Sequence, residues 1–525
     1  MTLQKLIILF LLSIITLFSF FLNYHYGFLG VNPLDNFTNF NSGFSFLKGK
    51  YPFKDFWTAT GPLLGIFQSF FFKIFGFSWA SYVIHASIFN SIIAISLFLF
   101  LFKIGLNKYL SFLYSILFSV IFYPPVGTPF VDHHSMFFTY LTFFTIVYSL
   151  NANRPNLFVF IPIFFLLGLF SKQTPIGYFF LLISPLVIYK LIDIKIFYSL
   201  LIGLFVSILL FYLYLNFTNI KLIDIYYQYF LSTSEVGSYR LNNSSFSFYD
   251  VFHRYRFIHL SLILFIILVI KNKNFNQNFK ISKFQLIYLV SSINLTMIFH
   301  QLLSMNQAFI LSIIFINLGL SLRLIYFDRS KILNNKFVIF LIIFSLFVCL
   351  KYHFKFNETR RFNDLAYSNK AQNIDSGKYF SSLKNLNWFT NYNNDPKKEI
   401  EGLKQAFEVL KKEDKKYALI TDYQFLSLEL GIYGNFPLKW FHENVSFPNM
   451  KAENNKKAQI AFSNFFINQL KNNQIEEIYF VPPEKYREDF LVNIIDKHCV
   501  IKPKYIKQDS SDQTKFYEKI SIKCL

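Results

Sequence analysis

The sequence predicts a polytopic α-helical membrane protein with an α/β domain after its last span. Of the 525 residues, 54% are hydrophobic and 21% are aromatic, which is too apolar for an ordinary soluble core. The mean hydropathy is +0.37. Apolar runs of helical length recur as far as about residue 352. From 353 onward the chain becomes rich in Asn, Lys and Glu, with short alternating runs that are typical of strands.

The basic charge balance does not point to nucleic acid. The chain has 51 Lys and Arg against 30 Asp and Glu, which gives a formal net charge of +21. These cations fall largely between apolar runs, where they set membrane orientation and contact anionic lipids. We therefore expect membrane lipids as partners, and no nucleic acid.

About eleven apolar runs are predicted to span the membrane. The first begins at Lys5 and has no small-residue cleavage site after it, which favours a retained span over a signal peptide. Several runs are shorter than the ~20 residues of a perpendicular span, so their bounds are approximate. The runs lie near 5–23, 80–102, 109–123, 135–150, 157–171, 175–192, 196–215, 257–270, 285–302, 307–326 and 336–352.

Alternate loops carry the basic residues, and the positive-inside rule places these loops and the N-terminus in the cytoplasm. An odd number of spans then puts 24–79, 123–134, 216–256 and everything after 353 on the outer face. We expect a transmembrane domain over 1–352 and an extracytoplasmic α/β domain over 353–525. The cytoplasmic cations are Lys103, Lys108, Arg154, Lys190, Lys195, Lys271, Lys273, Lys280, Lys283, Arg323, Arg329, Lys331 and Lys336.

The first outer loop, 24–79, is predicted to contain interfacial helices. Phe37, Phe40 and Phe44 recur at helical spacing in "NFTNFNSGFSFLKG", and Gly49 and Pro52 end that pattern. "GPLLGIFQSFFFKIFG" then predicts a second amphipathic helix. Two interpretations stay open, a roof over a cavity at the membrane surface and a stabilising collar.

The last domain is predicted from "KYALITDYQFLSLELG" and "IEEIYFVPP", each a strand-like run near a helix-like one. Cys499 and Cys524 flank its last strand-like stretches in an oxidising compartment, which predicts a disulfide, with two buried thiols as the alternative. Cys349 lies at the end of the last span.

Three carboxylates lie in the first two predicted outer segments, Asp35 and Asp55 in 24–79 and Asp132 in 123–134. A single acidic residue at a membrane boundary is often a solvated loop residue, but a group of them suits acid–base chemistry. We assign Asp55 a structural role, bracing the loop against Lys54 or a helix end, with a catalytic role in the cavity as the alternative.

The order of these features resembles a known family. A long first span, an acidic residue, a helix ending in "GKYPFKDFW", a "GPL" restart and "FGFS" before the second span are similar to membrane glycosyltransferases of the C superfamily. "FSKQTPIGYF" at 170–179 and "LITDYQFLSLEL" add to the likeness. The chain looks most like bacterial, family 39-like relatives of protein O-mannosyltransferases and of the lipid A aminoarabinose transferase. The resemblance covers nearly the whole layout, but its short motifs identify the superfamily better than the substrate.

The resemblance implies transfer of a sugar from a polyprenyl-phosphate donor to a lipid, polysaccharide or protein acceptor, with inversion. The resemblance also implies that this reaction takes place at the outer face of a bacterial inner membrane. Asp35 matches the position of the residue that deprotonates the acceptor hydroxyl. Many relatives have an acidic pair there, whereas this chain has Asn36 next to Asp35.

A leaving lipid phosphate needs fixed cations near the headgroup plane. Lys172 lies at the outer end of the fifth span, against the positive-inside bias, so we predict that it binds the donor phosphate. The alternative is a lysine whose side chain extends into lipid headgroups. Arg254 and Arg256 in "DVFHRYRF" are predicted to share phosphate binding, with lipid anchoring as the alternative.

Asp132 is predicted to be the second catalytic carboxylate. His133 and His134 follow it, but adjacent residues of a helix cannot both point at one site, so we expect no metal and no cofactor. His300 and Gln301, at the outer end of the ninth span, are predicted to line the same cavity as His133, or to be hydrogen-bonded residues of a span end.

Two other function classes remain as alternatives. A transporter or flippase of lipid-linked glycans would also be polytopic and basic, but the sequence has no convincing inverted repeat. A catalytically inactive scaffold of the same fold is the third possibility. The sequence contains no P-loop and no G-x-S-x-G motif, and its short cytoplasmic loops leave no room for a nucleotide-sugar domain.

Overall fold

A computed structural model describes residues 3–243, 247–304, 308–325, 336–432, 437–443, 445–450, 456–482, 499–502 and 516–524. The chain forms two compact units from alternating stretches of sequence. The first unit contains Met1–Gly27, Val83–Leu213 and Ser244–Asn363, and the second contains Phe28–Tyr82, Tyr214–Asn243 and Asp364–Leu525. The division into 1–352 and 353–525 stays a prediction.

Each of the eleven apolar runs is helical within the described residues. Short 3₁₀ segments, Pro155–Val159 and Phe309–Ser312, precede two of these helices. In chain order the helices are α1 (Leu3–Gly27), α2 (Thr38–Leu47), α3 (Leu63–Phe75), α4 (Trp79–Lys103), α5 (Lys108–Ile121), α6 (Val131–Ala152), α7 (Phe160–Ser171), α8 (Ile176–Lys190), α9 (Ile194–Thr218), α10 (Leu222–Ile225), α11 (Ser232–Asn243), α12 (Arg256–Lys271), α13 (Phe275–Asn278), α14 (Lys283–Ser304), α15 (Ile313–Ile325), α16 (Lys336–Tyr352), α17 (Pro396–Leu410), α18 (Phe425–Glu429) and α19 (Lys456–Asn472).

Among the described residues, five helices are long and apolar enough to cross a membrane. They are α1, α4, α9, α14 and the helical stretch Lys336–Glu358, which extends α16. A helix of at least 18 such residues approaches the thickness of the hydrocarbon core. The helices therefore support the predicted membrane character, while the number of spans and their orientation stay predictions.

Buried amides connect the apolar helices of the first unit. The Asn90 amide on α4 donates to the carbonyls of Ser19 on α1 at 3.0 Å and Ser119 on α5 at 3.1 Å. Asn294 on α14 and Asn317 on α15 donate to each other's side-chain oxygens at 3.1 and 2.9 Å. Interhelical hydrogen bonds of this kind add to packing where lipid supplies no hydrophobic driving force.

The described part of the second unit contains a four-stranded sheet with the order β1-β2-β4-β3. β1 and β2 are parallel, and β4 pairs antiparallel with β2 and β3. The first two strands are buried at every position, as expected for parallel strands, and both lie where the sequence predicts strands. The strands are β1 (Tyr417–Thr421), β2 (Glu477–Val481), β3 (Cys499–Lys502) and β4 (Glu518–Cys524).

Two helices of the second unit, α2 and α3, form where the first outer loop is predicted to have interfacial helices. The aromatic residues of α2 are not on a free surface. Phe37, which precedes α2, and Phe40 are fully buried, and both rings lie 5.6 Å from the Trp79 ring. The aromatic spacing of this loop therefore marks a buried face of the second unit.

The stretch "KDFWTATG" after α2 packs against the segment around residue 440. Trp57 lies in a core cluster with Leu438 and Phe462. Its backbone amide donates to Pro437 at 2.8 Å, and its indole donates to the Ser446 carbonyl at 3.1 Å. The stretch thus joins the predicted outer loop to the α/β part of the same unit.

A buried lysine forms a second connection between these segments. The Lys439 ammonium lies 3.3 Å from the Asn41 carbonyl and 4.1 Å from the centre of the Phe56 ring, and it also donates to Ser45. Burial lowers its pKa well below the ordinary value for lysine. The sequence analysis did not find this residue.

Candidate active site

Three predicted site residues of the first unit meet at helix ends. Asp132 lies in the first turn of α6, Lys172 directly follows α7, and His300 lies in the last two turns of α14. The Lys172 ammonium donates to both Asp132 oxygens, at 2.8 and 2.9 Å. His300 Nε2 lies 2.9 Å from Asp132 Oδ1. We call these three residues the Asp132 cluster.

The local structure holds both ends of Lys172 against α6. α7 ends at Ser171, and the backbone of Lys172 is extended while its N–H still bonds the Gly168 carbonyl at 3.0 Å. The Lys172 carbonyl in turn accepts a hydrogen bond from Ser135 Oγ at 3.1 Å. Ser135 and Asp132 both lie on α6, so the backbone and the ammonium of Lys172 are fixed by one helix.

His300 is oriented through its other ring nitrogen. His300 Nδ1 lies 3.1 Å from Thr174 Oγ1, two residues after Lys172. With a hydroxyl at Nδ1 and a carboxylate at Nε2, a neutral ring places its proton on Nε2 and accepts from Thr174. The ring can then donate to Asp132 in either charge state.

Burial differs among the three side chains. Asp132 and His300 are 3% and 2% exposed, whereas Lys172 is 20% exposed. Taking an ion pair out of water costs several kcal/mol per ion, so a buried pair of this kind is not an efficient way to stabilise a fold. Ionisable groups among membrane helices more often mark a functional site. The ammonium is the part of the cluster that a ligand can reach.

A buried arginine orders the turn that leads into α6. Arg360 donates to the carbonyls of Pro124, Pro125 and Val126 at 2.8, 3.1 and 2.9 Å. This turn is part of the segment 123–134, which contains Asp132 and is predicted to face outward. Arg360 is a further residue that the sequence analysis missed.

The two histidines after Asp132 point to different partners, as expected from helix geometry. His133 Nε2 lies 3.0 Å from the Phe122 carbonyl, and its ring packs 4.5 Å from the Phe309 ring. His134 Nε2 lies 3.0 Å from His85 Nε2. Within the described residues no group of three His, Cys, Asp or Glu side chains is arranged to hold a metal, and metal independence stays a prediction.

Gln301, which follows His300 in the sequence, is buried. Neither the nitrogen nor the oxygen of its side-chain amide has a hydrogen-bond partner among the described residues. A buried amide without partners costs free energy unless a water or ligand satisfies it. This observation fits the prediction that Gln301 lines a cavity, and the cavity itself stays a prediction.

The two predicted arginines are exposed and paired locally. Arg254 forms an ion pair with Asp250 at 3.1 Å, and Arg256 Nη1 lies 2.9 Å from His253 Nε2. Both lie around the start of α12 and are accessible, so they can contact headgroups. Their predicted role in phosphate binding stays open beside the role of lipid anchors.

Asp35 and Asp55 belong to the second unit. Asp35 lies in a π-helical turn, Pro33–Phe37, and is half-buried. Asp55 accepts from the Tyr51 amide at 2.8 Å and lies 3.7 Å from the Lys50 ammonium, while Lys54 donates to the Thr218 carbonyl at 3.1 Å. The structural role predicted for Asp55 agrees with these contacts, but its cation is Lys50 and not Lys54.

Cys499 and Cys524 are directly opposite each other in the β3–β4 pair. Their side chains lie outside the described residues, so the disulfide stays a prediction. Cys349 is a free, buried thiol, whose sulfur lies 3.7 Å from the Leu117 carbonyl.

The second unit contains a buried carboxylate that the sequence analysis missed. Glu399 accepts hydrogen bonds from Trp388 Nε1 at 3.1 Å, from Thr390 Oγ1 at 2.8 Å, and from the Tyr423 hydroxyl. Burial raises its pKa to about 7, although the three hydrogen bonds act in the opposite direction.

No family model and no curated protein matches this chain. The resemblance to membrane glycosyltransferases therefore rests on the quoted motifs and on their order along the sequence.

Proposed function

We propose that the chain transfers a sugar from a polyprenyl-phosphate donor to an acceptor at the outer face of a bacterial inner membrane. The observation that supports this most is the Asp132 cluster, because it holds a partly accessible ammonium at the ends of apolar helices. A lipid phosphate needs such a fixed cation beside it. The proposal also includes the predicted orientation, in which these helix ends face outward.

In the proposed reaction, an acceptor hydroxyl attacks the anomeric carbon and forms the new C–O bond. The bond from that carbon to the donor phosphate breaks, and the phosphate leaves with its electron pair. The hydroxyl proton passes to a general base, the role that the sequence resemblance implies for Asp35. Lys172 stabilises the charge that develops on the phosphate, and His300 donates to the same anion when Asp132 releases it.

Asp132 has a positioning role in this proposal. Both of its oxygens are engaged by the ammonium of Lys172, and one also contacts His300. A preorganised cation does not need to be reoriented as charge develops, which is the main source of electrostatic catalysis. Losing Asp132 should therefore weaken transfer through Lys172.

The test measures transfer of labelled sugar from polyprenyl-phosphate donors in membranes that contain the wild type, Lys172→Gln or Asp132→Asn. Abundance is matched across samples. The double variant Lys172→Gln/Asp132→Asn keeps a neutral, hydrogen-bonding pair and controls for loss of folding. Lys404→Ala, in the surface pair Lys404–Glu408 at 2.9 Å, controls for loss of a cation elsewhere.

We expect both single variants and the double variant to lose transfer by about 10²-fold or more, as for removal of one anion-stabilising donor. Lys404→Ala should keep wild-type transfer. Full transfer by the double variant would refute the role of the cluster. Absence of transfer from every donor, together with lipid-glycan translocation in vesicles, would instead support the flippase alternative.

A further inference from the structure

We propose that the second unit binds a neutral sugar ring in a cavity at the carboxyl ends of β1 and β2. The cavity has a volume of about 340 Å³. This is at the small end of ligand pockets, which span about 300–1,000 Å³. The described lining residues are Tyr392, Asn393, Glu399, Tyr423, Pro482 and Phe516.

The position of the cavity follows from the sheet. β1 ends at Thr421 and β2 at Val481, and the two strands are parallel, so both end at the same edge. Pro482 directly follows β2, Tyr423 lies two residues after the end of β1, and both line the cavity. Open α/β sheets bind their ligands in the crevice outside the carboxyl ends of parallel strands.

The polar groups of the cavity favour a ligand that donates hydrogen bonds. The Tyr392 hydroxyl donates to Asp422 Oδ2 at 2.8 Å, and the Tyr423 hydroxyl donates to Glu399. Because each phenol proton is used in this way, the phenol oxygens can only accept hydrogen bonds from a ligand. Sugar hydroxyls are the most common neutral groups that supply several donors from one ring.

The walls of the cavity are flat and aromatic. The rings of Tyr392 and Tyr423 lie 5.9 Å apart and nearly perpendicular, at 81°. Phe516 packs on Gly402 of α17, where a Cβ would lie only 2.6 Å from the phenyl ring. Rigid aromatic faces beside polar groups match a sugar ring, which has an apolar face and a polar rim.

The charge of the cavity argues against an anionic ligand. None of the lining residues that the structure describes is Lys or Arg, while Glu399 lines the cavity and Asp422 holds Tyr392. A phosphate or carboxylate would meet Asp422 and, above about pH 7, an ionised Glu399, without a compensating cation among the described lining residues. The structure therefore favours a neutral sugar over a sugar phosphate.

Saturation-transfer NMR on the full chain in lipid nanodiscs, free of sugar-based detergent, tests this inference. The probes are methyl glucoside, methyl galactoside, methyl mannoside and glucose 6-phosphate. Tyr392→Ala removes one wall, and Tyr392→Phe keeps the ring but removes the hydroxyl. Tyr367→Ala is the matched control, because Tyr367 belongs to the same unit and is 97% exposed.

We expect saturable transfer to at least one methyl glycoside, and weaker transfer to glucose 6-phosphate. Binding should fall about tenfold in Tyr392→Ala, fall less in Tyr392→Phe, and stay at the wild-type level in Tyr367→Ala. Equal binding by Tyr392→Ala, a preference for glucose 6-phosphate, or no saturable signal from the methyl glycosides would overturn the inference. The assay contains no donor lipid, so its result is independent of the proposed transfer reaction.

Discussion

Each unit contains a carboxylate that the fold removes almost completely from water. Asp132 in the first unit is 2% exposed, and Glu399 in the second unit is 1% exposed. Their partners differ. Asp132 contacts the ammonium of Lys172, whereas Glu399, among the residues that the structure describes, accepts only from the neutral side chains of Trp388, Thr390 and Tyr423. A cation compensates for desolvation of a carboxylate far better than neutral donors do. The first region therefore holds a fixed charge, and the second holds a group that titrates near neutral pH.

The largest expected effect comes from removing the cation of the first region. Lys172→Met leaves the Asp132 carboxylate buried without its ammonium, which should lower the free energy of unfolding by about 3–5 kcal/mol. The double variant Lys172→Met/Asp132→Asn should lose clearly less, because no uncompensated charge remains. Thermal unfolding of Lys172→Met, Asp132→Asn and the double variant in nanodiscs measures the difference. If the losses from the two single variants simply add, the ion pair does not couple these residues.

The second region should show a pH dependence of stability. The pKa of Glu399 rises from an ordinary value of 4.5 to about 7 on folding, so the folded state binds this proton more tightly. Stability from this group is complete below about pH 4.5 and is lost as the pH rises to about 7. A shift of this size corresponds to about 3 kcal/mol.

Unfolding midpoints of the second unit between pH 4.5 and 8, followed by tryptophan fluorescence, measure this slope, because Trp57, Trp79, Trp388 and Trp440 all belong to this unit. Glu399→Gln should abolish the part that Glu399 contributes. Tyr423→Phe removes a donor that favours the ionised form, so it should shift the transition to higher pH. A slope that survives in Glu399→Gln would assign the titration to another group.

The smallest effect is expected at an exposed pair of the first unit. Arg254 pairs with Asp250 at 3.1 Å, but its side chain is 45% exposed. Arg254→Gln should therefore change the free energy of unfolding by less than about 1 kcal/mol. A larger loss would show that solvent exposure does not make the contribution of this ion pair to stability smaller than that of the buried Asp132 cluster. A loss of sugar transfer at normal stability would instead support the predicted role of Arg254 in phosphate binding.

Much of the secondary structure could be predicted because it depends on local patterns. The apolar runs form helices, and the runs around 417–421 and 477–481 form strands. The aromatic spacing at Phe37, Phe40 and Phe44 correctly indicated a helix nearby. It could not show what covers that face, because the covering residue Trp79 belongs to a later helix.

The candidate site was only partly predictable for a related reason. Asp132 and Lys172 were selected separately, as a catalytic carboxylate and a phosphate ligand, and nothing in the sequence joins residues 40 positions apart. Arg360 and Lys439 were missed because lysine and arginine outside apolar runs are usually solvated. Glu399 did have a signal, since it precedes Leu403 and Ala406 at helical spacing and so shares their buried stripe on α17.

The strand order β1-β2-β4-β3 has a consequence for synthesis in the cell. β4, residues 518–524, lies inside the sheet between β2 and β3. Translation runs from the N-terminus, so a nascent chain that has reached residue 510 contains β1, β2 and β3 but not the strand that separates β2 from β3. The ribosome must pass residue 524 before this sheet can close. A chain that stalls or terminates before β4 exposes an unpaired edge of β2. Chaperones and proteases can recognise such an edge.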